Sequence, residues 1–268
     1  MPGPSAAAES YNWWAEAYDE CNPENDYEHW LGESLLPLLE GHGLRRGWAL
    51  DIGCGTGLAF PPLLRRGWRI VGCDSSVGML AAAEQKVDGA VRLMNLDVRD
   101  LPPISPNQGD TAQQAFSLIL MLNDVINYLT GDGDLIQAFA GIAKNLRPDG
   151  GLAVLDANTV ALFRRDYELG CAANLGSNGW RWRGVTKRCV PEQIYEAELQ
   201  DPSGLVRPHR QRHWSRDQIL GALAAAGLHC VAILGQREEA GQIQLCTSPS
   251  ETRDLKILYL VSHLPANS

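Results

Sequence analysis

Three glycines at alternate positions follow a short apolar stretch in the first quarter of the chain. Residues 48–57 read WALDIGCGTG, in which Trp48–Ile52 has the apolar character of a buried strand and Gly53, Gly55 and Gly57 come after it. Glycine lets the backbone adopt positive φ angles and lets a ligand approach the main chain closely. The pattern therefore predicts a strand, a tight ligand-binding turn and a helix, which restricts the chain to folds built from such units.

Short apolar segments then alternate with helical patterns as far as residue 156. This alternation predicts an α/β fold, a parallel sheet with helices on both faces. Strands are predicted over residues 48–52, 69–73, 90–96, 116–122, 152–155, 229–234 and 256–262. Helices are predicted over residues 63–66, 77–87, 134–146 and 215–226.

Two regions depart from this alternation. Residues 1–9 have the composition of a flexible leader, and Tyr11–Leu39 has a helical pattern broken at Cys21–Asp26. Residues 157–190 are rich in Gly, Asn and Trp, and an antiparallel pair is predicted at 190–199 and 205–214. We therefore predict three parts: a helical cap at 1–43, a ligand-binding domain at 44–156 and 215–268, and an inserted lid at 157–214.

Composition excludes several classes of protein. The net charge of −9 disfavours a general nucleic-acid binder, which needs a large positive footprint. Apolar runs are far shorter than the ~20 residues of a membrane helix. The first 20 residues contain no Lys or Arg, so no secretory signal is expected. The seven cysteines form no CxxC pair, which favours a reducing cytoplasm and no zinc site.

The glycine turn departs from the nicotinamide fingerprint, Gly-x-Gly-x-x-Gly. Leu58 stands where the third glycine of that fingerprint would fall. Asp51 stands two residues before the first glycine, where its charge would repel a pyrophosphate and attract a cationic amine. The turn therefore favours a ligand that contains a nucleoside and a positive group.

Two further acids end predicted strands. Asp74 ends the second strand and could accept two hydrogen bonds from a ribose diol. Asp97 ends the third strand and could accept from an exocyclic amine such as that of adenine, beside the Val98 N–H. Because the carboxyl ends of parallel strands meet at one edge of a sheet, Asp51, Asp74 and Asp97 are predicted to surround one crevice.

These motifs resemble those of class I S-adenosylmethionine-dependent methyltransferases. The resemblance is carried by Asp51–Gly57, by Val71–Ser76 with Met79-Leu80, by Asn95–Val98, and by the turn Leu146–Gly151. Asp124–Leu129 and Arg210–Trp214 further resemble a bacterial small-molecule group whose members carry an inserted antiparallel lid. One departure is Ser117, where the family often has Asp. The resemblance implies a seven-stranded, mostly parallel doubly wound sheet, with residues 256–262 as the last, antiparallel strand.

The resemblance also implies S-adenosyl-L-methionine as cofactor, S-adenosyl-L-homocysteine as product, and a role for several residues. Asp51 and the backbone of Gly53–Gly57, including Cys54 and Gly55, would hold the methionine part, and Asp74 the ribose. Further cofactor contacts are implied near the adenine for Ser75, Met79, Asp97 and Val98, beside the amino-acid end for Leu122 and Asn123, and over the cofactor for Tyr11 and Tyr18.

The residue that takes a proton from the acceptor is less defined by the sequence. His209 and His213 are four residues apart on a predicted lid strand and so face one side, and His29 lies on the second N-terminal helix. Each is a candidate base, with a structural hydrogen bond as the alternative. The histidines are too scattered to predict a metal site. Asn127 and Tyr128 follow the fourth strand and could touch substrate, although Asn127 could equally cap a helix.

Tryptophans are frequent in the two segments predicted to cover the site. Trp14 lies in the cap, and Trp180 and Trp182 lie in the lid. Their rings could stack on a flat substrate, or could pack the lid against the sheet.

The expected function is methyl transfer to an oxygen or nitrogen of a small molecule, with aromatic compounds and natural-product intermediates as candidate acceptors. The alternative is a cyclase or isomerase that keeps the cofactor without transferring methyl, since fold does not fix function. A nicotinamide oxidoreductase is disfavoured by Leu58 and Asp51. A cytoplasmic monomer or homodimer without nucleic-acid or membrane partners is expected.

Overall fold

Two separate sheets are formed by the residues that the computed structural model describes, which are 6–23, 26–107, 116–239 and 242–264. The large sheet has eight strands: β1 (Trp48–Ile52), β2 (Arg69–Asp74), β3 (Arg92–Asn95), β4 (Phe116–Met121), β5 (Leu152–Asn158), β10 (Leu228–Glu239), β11 (Gln242–Cys246) and β12 (Lys256–His263). The small sheet has four: β6 (Ala172–Leu175), β7 (Trp180–Gly184), β8 (Ile194–Gln200) and β9 (Val206–Arg212).

Eight α-helices accompany the sheets in the same described ranges. They are α1 (Ala6–Trp14), α2 (Tyr18–Cys21), α3 (Leu36–Gly41), α4 (Phe60–Arg65), α5 (Val77–Val87), α6 (Asp134–Asn145), α7 (Val160–Asp166) and α8 (Arg216–Ala225). A π-helical segment, Glu28–Leu35, leads into α3, and short 3-10 turns cover Ala15–Ala17, Val98–Asp100 and Val125–Tyr128. None of these helices is long and apolar enough to cross a bilayer.

The large sheet has the strand order β11-β10-β12-β5-β4-β1-β2-β3. Strands β1 to β5 pair in parallel, and β12 enters between β5 and β10 in the opposite direction, with Lys256 opposite Asn158. The expected α/β fold and its antiparallel last strand are thus confirmed. The expected number of seven strands is wrong by one, because β11 adds an antiparallel edge strand beside β10. Its sequence, QIQLC, alternates polar and apolar residues, a short strand signal that the sequence prediction did not use.

Apolar layers cover both faces of the large sheet, as the doubly wound prediction requires. Helices α6 and α8 bury Phe139, Ile142 and Leu223 against one face. The other face is covered by α4, α5 and the segment that leads into α3, which bury Phe60 and Leu35 among others. The near-continuous apolar sequence of β4 follows from this arrangement, since a strand buried on both faces contacts protein on each side.

The predicted cap and lid regions both contain more helix or strand than their sequence patterns predict. Helix α1 begins at Ala6, inside the stretch expected to be a flexible leader, and it contacts α5 and β9. Residues 1–5 of that leader lie outside the described residues. The lid contains β6 and β7 in addition to the predicted pair β8 and β9. Strand β6 is largely exposed, so it lacks the alternation that a half-buried strand would show.

Candidate active site

The turn after β1 exposes main chain to the space above the sheet. Gly53 and Gly55 have φ angles of 68° and 53°, in the left-handed region that favours glycine. The N–H groups of Gly53 and Cys54 both donate to the Cys73 carbonyl, at 2.8 and 3.0 Å, which ties the turn to β2. A Cβ on Gly53 would lie 2.3 Å from Val125, whereas a Cβ on Gly55 would meet nothing within 4 Å. The open side of Gly55 therefore leaves room for a ligand.

Two carboxylates flank this turn. Asp51 is only 4% exposed. Asp74 binds the loop itself, because its Oδ2 accepts from the Gly55 N–H at 2.9 Å and its Oδ1 accepts from the Ser76 N–H at 2.8 Å. Burial, and then the charge of Asp74, raise the pKa of Asp51 to about 8. A cation bound between the two carboxylates would favour the ionised form of Asp51.

The third carboxylate, Asp97, is held by Arg99. Its Oδ1 accepts from both the backbone N–H and the Nε–H of Arg99, each at 2.9 Å, and its Oδ2 accepts from the guanidinium. The Arg99 side chain, opposed in part by burial, lowers the pKa of Asp97. Since each carboxylate oxygen has two lone pairs, one acceptor position stays available on Oδ2. The predicted contact with an adenine amine would have to use that position.

The loop after β4 has an unusual backbone. Asn123 and Asp124 have φ angles of 63° and 61°, a conformation that Asn and Asp tolerate better than other non-glycine residues. Asp156, at the end of β5, holds both of them, because its carboxylate accepts from the Asn123 N–H at 2.8 Å and from the Asp124 N–H at 2.7 Å. This bend directs Asn123 and the following 3-10 turn towards the glycine turn.

Helix α1 lies across the start of α5. The Asn12 Oδ1 accepts hydrogen bonds of 2.8 Å from both the Ser76 hydroxyl and the Gly78 N–H. A Cβ on Gly78 would lie 2.9 Å from the Asn12 Cα, so the two helices are in backbone contact. Tyr11 and Tyr18, which belong to this N-terminal segment, line the space beside the turn after β1 and the loop after β4.

A chain of ring hydroxyls and one imidazole joins the cap to the lid. The Tyr11 hydroxyl donates to the Tyr128 hydroxyl at 2.8 Å, and the Tyr128 hydroxyl lies 3.1 Å from Nδ1 of His209. The Nε2 atom of His209 is buried and has no hydrogen-bond partner among the described residues. Burial lowers the pKa of His209 to about 4, so the imidazole is neutral at pH 7.

These elements enclose a cavity of about 290 Å³. Its wall is formed by the glycine turn, the ends of β2 and β3, the loop after β4, helix α1 and strand β9. Fifteen of the residues predicted from the sequence line it: Tyr11, Tyr18, Asp51, Gly53, Cys54, Gly55, Asp74, Ser75, Met79, Asp97, Val98, Leu122, Asn123, Tyr128 and His209. Their individual roles stay predictions.

Four polar or glycine candidates lie outside this lining, namely Gly57, His213, His29 and Asn127. Gly57 faces Phe60, which a Cβ would meet at 2.5 Å. His213 uses both ring nitrogens, since Nδ1 accepts from a backbone N–H at 3.1 Å and Nε2 lies 3.2 Å from Glu251. His29 pairs with Glu33 at 3.1 Å on the surface. The structure therefore does not bring His213 or His29 to the cavity.

Asn127 is fully buried beneath the cavity. Its Nδ2 donates to the Arg212 carbonyl at 2.8 Å, and its Oδ1 accepts from the Asn158 N–H at 2.9 Å. The side chain thus ties β9 of the lid to β5, and it caps no helix in the described residues.

The three tryptophan candidates lie behind His209 and also outside the lining. Trp14 and Trp180 belong to a buried cluster between α1 and the lid. Trp182 donates from Nε1 to the Asp166 carbonyl at 2.6 Å, and its ring centroid is 5.3 Å from that of His209. This location is the one expected for the packing alternative, and stacking on a substrate stays a prediction.

Sequence reasoning missed several residues around the cavity. Tyr27 and Arg99 line it, and Lys256 and Asp156 support the Asn123 loop from behind. A signal for Asp156 existed, because it stands at the end of a predicted strand, as Asp74 does. Lys256 carries no such signal, since its position beside β5 follows only from the insertion of the antiparallel strand β12.

Comparison with known proteins gives a consistent result. Residues 49–150 match a family described as "Methyltransferase domain". The chain is 30% identical over 142 residues to the putative methyltransferase YqeM of Bacillus subtilis, a match that covers 52% of each chain. It is 29% identical over 229 residues to dTDP-3-amino-3,6-dideoxy-alpha-D-glucopyranose N,N-dimethyltransferase of Streptomyces fradiae, covering 80% of this chain and 83% of that one.

A solved structure has a similar fold over almost the whole chain. It is an S-adenosylmethionine-dependent methyltransferase from Clostridium acetobutylicum, with a TM-score of 0.71 and 20% identity, and the match covers 95% of this chain and 99% of that one. At 20% identity, this match is evidence for a shared fold alone. The chain spans about half the length of the first curated relatives that it matches.

Proposed function

We propose that the chain carries a class I S-adenosylmethionine-dependent methyltransferase domain and that it moves the cofactor's methyl group to a nitrogen or oxygen atom of a small molecule, most readily an amine nitrogen. The observation that carries this proposal is the convergence of Asp51, Asp74 and Asp97 on one cavity beside the glycine turn. Asp51 lies in β1, Asp74 ends β2 and Asp97 lies two residues after the end of β3, so only the folded sheet brings them together.

The residues of the cavity fit the cofactor chemically. Asp51 is buried and Asp74 is half-buried, and neither carboxylate has a cation of its own among the described residues; a ligand with an ammonium and a sulfonium group would supply positive charge. Gly55 leaves open space where a nucleoside or amino-acid group would approach the main chain. Met79 and Val98 add apolar wall on the side where Asp97 lies.

The protein's tasks in such a reaction are placement and the exclusion of water. When bound, the cofactor supplies a methyl group on a sulfonium, which departs as a neutral thioether. The site has to hold the acceptor atom in line, at about 3 to 3.5 Å from that methyl carbon. Tyr11 on α1 and Tyr128 on the β4 loop close over the cavity through their 2.8 Å hydrogen bond, which keeps bulk water out.

The titratable groups of the cavity favour an amine over a hydroxyl as acceptor. His209 has a pKa of about 4, which makes it a weak base. Burial raises the pKa of Tyr128, and the nearby charge of Asp124 raises it further, so its phenol stays protonated. A hydroxyl acceptor needs a base to become a strong nucleophile, whereas a neutral amine attacks through its own lone pair and loses its proton afterwards.

The Streptomyces fradiae relative supports the same acceptor class. Its name describes N,N-dimethylation of a nucleotide-linked amino sugar, and its similarity extends over 80% of this chain. We therefore propose amino sugars as the first acceptors to test.

A direct test combines binding with turnover. The protein would first be titrated with S-adenosyl-L-homocysteine, and then incubated with methyl-labelled cofactor and matched panels of nucleotide-linked amino sugars, peptide amines and phenols. Label transfer to an amine, lost in Asp51→Asn, supports the proposal. No binding of S-adenosyl-L-homocysteine would overturn cofactor use, and transfer to phenols alone would overturn the amine assignment.

A further inference from the structure

A buried lysine lies behind the loop that follows β4. Lys256 is the first residue of β12, and its side chain is 12% exposed. Its ammonium lies 2.9 Å from Oδ1 of Asn123, 3.3 Å from Oδ1 of Asp124 and 3.4 Å from Oδ2 of Asp156. Lys256 does not line the cavity, but Asn123 does.

The two carboxylates keep Lys256 charged. Burial acts to lower its pKa, but Asp156 and then Asp124 more than offset this effect, so the pKa is raised. An ammonium has three N–H donors and no acceptor. Whatever faces Lys256 must therefore be an acceptor.

This requirement fixes the orientation of the Asn123 amide. Its oxygen must point to Lys256, so its NH₂ group points the other way, to the Tyr18 hydroxyl at 3.2 Å. The Tyr18 oxygen consequently accepts a hydrogen bond from Asn123. Its own hydrogen has no acceptor among the described residues and is free to point into the cavity that Tyr18 lines.

We propose that Lys256 is a positioning residue that acts through Asn123 to make the Tyr18 hydroxyl a hydrogen-bond donor to the carboxylate of the cofactor's amino-acid group. The inference rests on the proposed function, because it needs that cofactor in the cavity. In this proposal Lys256 contributes to cofactor selection although it does not line the cavity.

The position of Tyr18 within the cavity points to the amino-acid end. The Tyr18 hydroxyl is bonded to Asn123, which follows β4, and its chain neighbour Asp19 accepts from the Thr56 hydroxyl of the glycine turn at 2.5 Å. Strand β4 pairs with β1, so Tyr18 lies near the end of β1 that carries Asp51. Asp51 would hold the ammonium of the amino-acid group. The carboxylate is bonded to the same carbon as that ammonium, which places it within reach of a donor beside Asp51.

A double-mutant cycle on binding separates this role from simple stabilisation. The cycle uses Lys256→Met, Tyr18→Phe and both together, titrated with S-adenosyl-L-homocysteine and with methylthioadenosine, which lacks the amino-acid group. Lys256→Met should raise the Kd for S-adenosyl-L-homocysteine about ten- to hundredfold, as expected for loss of a hydrogen bond to a charged group. In the Tyr18→Phe background the same change should have less than about a twofold effect, and methylthioadenosine should bind equally well throughout.

The chain offers a matched control on the neighbouring strand. Arg237 on β10 pairs with the buried Asp254, and neither residue lines the cavity. Arg237→Met should lower the Tm through the same loss of a cation, but leave the Kd for S-adenosyl-L-homocysteine unchanged.

A second variant avoids the loss of folding that an uncompensated carboxylate pair could cause in Lys256→Met. Asn123→Asp keeps the left-handed backbone, which Asp tolerates, and presents a carboxylate to Lys256. The Tyr18 hydroxyl would then donate to that carboxylate and no longer to the ligand. The fold should be retained, with at least tenfold weaker binding of S-adenosyl-L-homocysteine and unchanged binding of methylthioadenosine.

The outcomes are distinguishable. Additive effects of Lys256→Met and Tyr18→Phe, or equal weakening of both ligands, would show that Lys256 only stabilises the loop and would overturn the inference alone. If the unaltered protein bound neither ligand, the proposed function would fail and the inference with it.

Discussion

The Tyr128 hydroxyl lies 3.1 Å from Nδ1 of His209, and this contact joins the loop after β4 to the inserted lid. Tyr128 also accepts from Tyr11, so its single hydrogen is available for the imidazole. Burial lowers the pKa of His209, so the imidazole is neutral, and its Nε2 is buried and unpartnered among the described residues. The cap, the sheet and the lid meet at this contact.

The first prediction concerns acid stability. Since burial lowers the folded-state pKa of His209 to about 4, from 6.5 in the unfolded chain, the unfolded state binds the proton more tightly. The contribution of neutral His209 to the free energy of unfolding is complete above pH 6.5. It is lost as the pH falls towards 4, and the loss reaches roughly 3 kcal/mol. Urea unfolding at pH 7 and pH 5 should show a smaller loss in His209→Gln. Equal losses in the two proteins would contradict the buried, neutral state of His209.

The second prediction concerns proton release on binding. Asp51 has a pKa of about 8 without ligand, so it is mostly protonated at pH 7. A bound cation favours ionisation, so the affinity for S-adenosylmethionine should increase from pH 6 to 8 by up to about tenfold per unit and then level off. Calorimetry in buffers of different ionisation enthalpy should detect release of close to one proton at pH 7.

Asp51 also makes the stability of the ligand-free fold depend on pH, and this stability falls with rising pH, whereas the affinity for the cofactor rises. Its raised pKa contributes stability at low pH that is lost as the pH rises through about 8. Asp51→Asn should abolish both the proton release and this loss of stability. Undiminished proton release in Asp51→Asn would assign it to another group.

The third prediction concerns Asp74. From the sequence, Asp74→Ala is expected to weaken cofactor binding severely and to leave the fold intact. The structure shows that Asp74→Ala should also lower the free energy of unfolding, because the N–H groups of Gly55 and Ser76 lose their acceptors. Each lost acceptor costs about 1–3 kcal/mol where the N–H group stays buried. We therefore expect a Kd at least about a hundredfold higher and a lower Tm. Asp74→Asn keeps one acceptor oxygen and should recover part of the Tm; unchanged affinity in Asp74→Ala would contradict the ribose assignment.

The fourth prediction concerns the cap. Asn12 accepts from Ser76 and Gly78, and these two bonds hold α1 over the cavity. Asn12→Ala should increase amide hydrogen exchange in residues 6–14 and speed the dissociation of S-adenosyl-L-homocysteine, with little change in exchange at β1 and β4. Glu9→Ala, an exposed change on the same helix, serves as the control. Identical exchange in the two variants would show that Asn12 does not hold the cap.

Local patterns were enough to predict the main elements of this molecule. The strands that lead to Asp51, Asp74 and Asp97 have patterns that depend on neighbours in sequence, and parallel strands bring their carboxyl ends to one edge. The third strand ends at Asn95, two residues before Asp97, because Asp97 caps the 3-10 turn Val98–Asp100.

The exposed strand β6 escaped prediction because it shows no alternation of polar and apolar residues. The edge strand β11 does alternate over Gln242–Leu245, and this short signal was missed. The start of α1 at Ala6 also escaped, since packing against α5 stabilises a helix that its own sequence does not indicate.

The sequence by itself determined the α/β architecture, the glycine turn and the three acids of the cofactor cavity, because each of these follows from strand and turn chemistry within a short stretch of chain. Only the tertiary structure decided which histidine reaches the cavity, that the tryptophans lie behind it, and that Lys256 supports Asn123. Those relationships join residues more than eighty positions apart, such as Tyr128 with His209 and Asn123 with Lys256, and they depend on how the cap, the lid and an inserted antiparallel strand pack on the sheet.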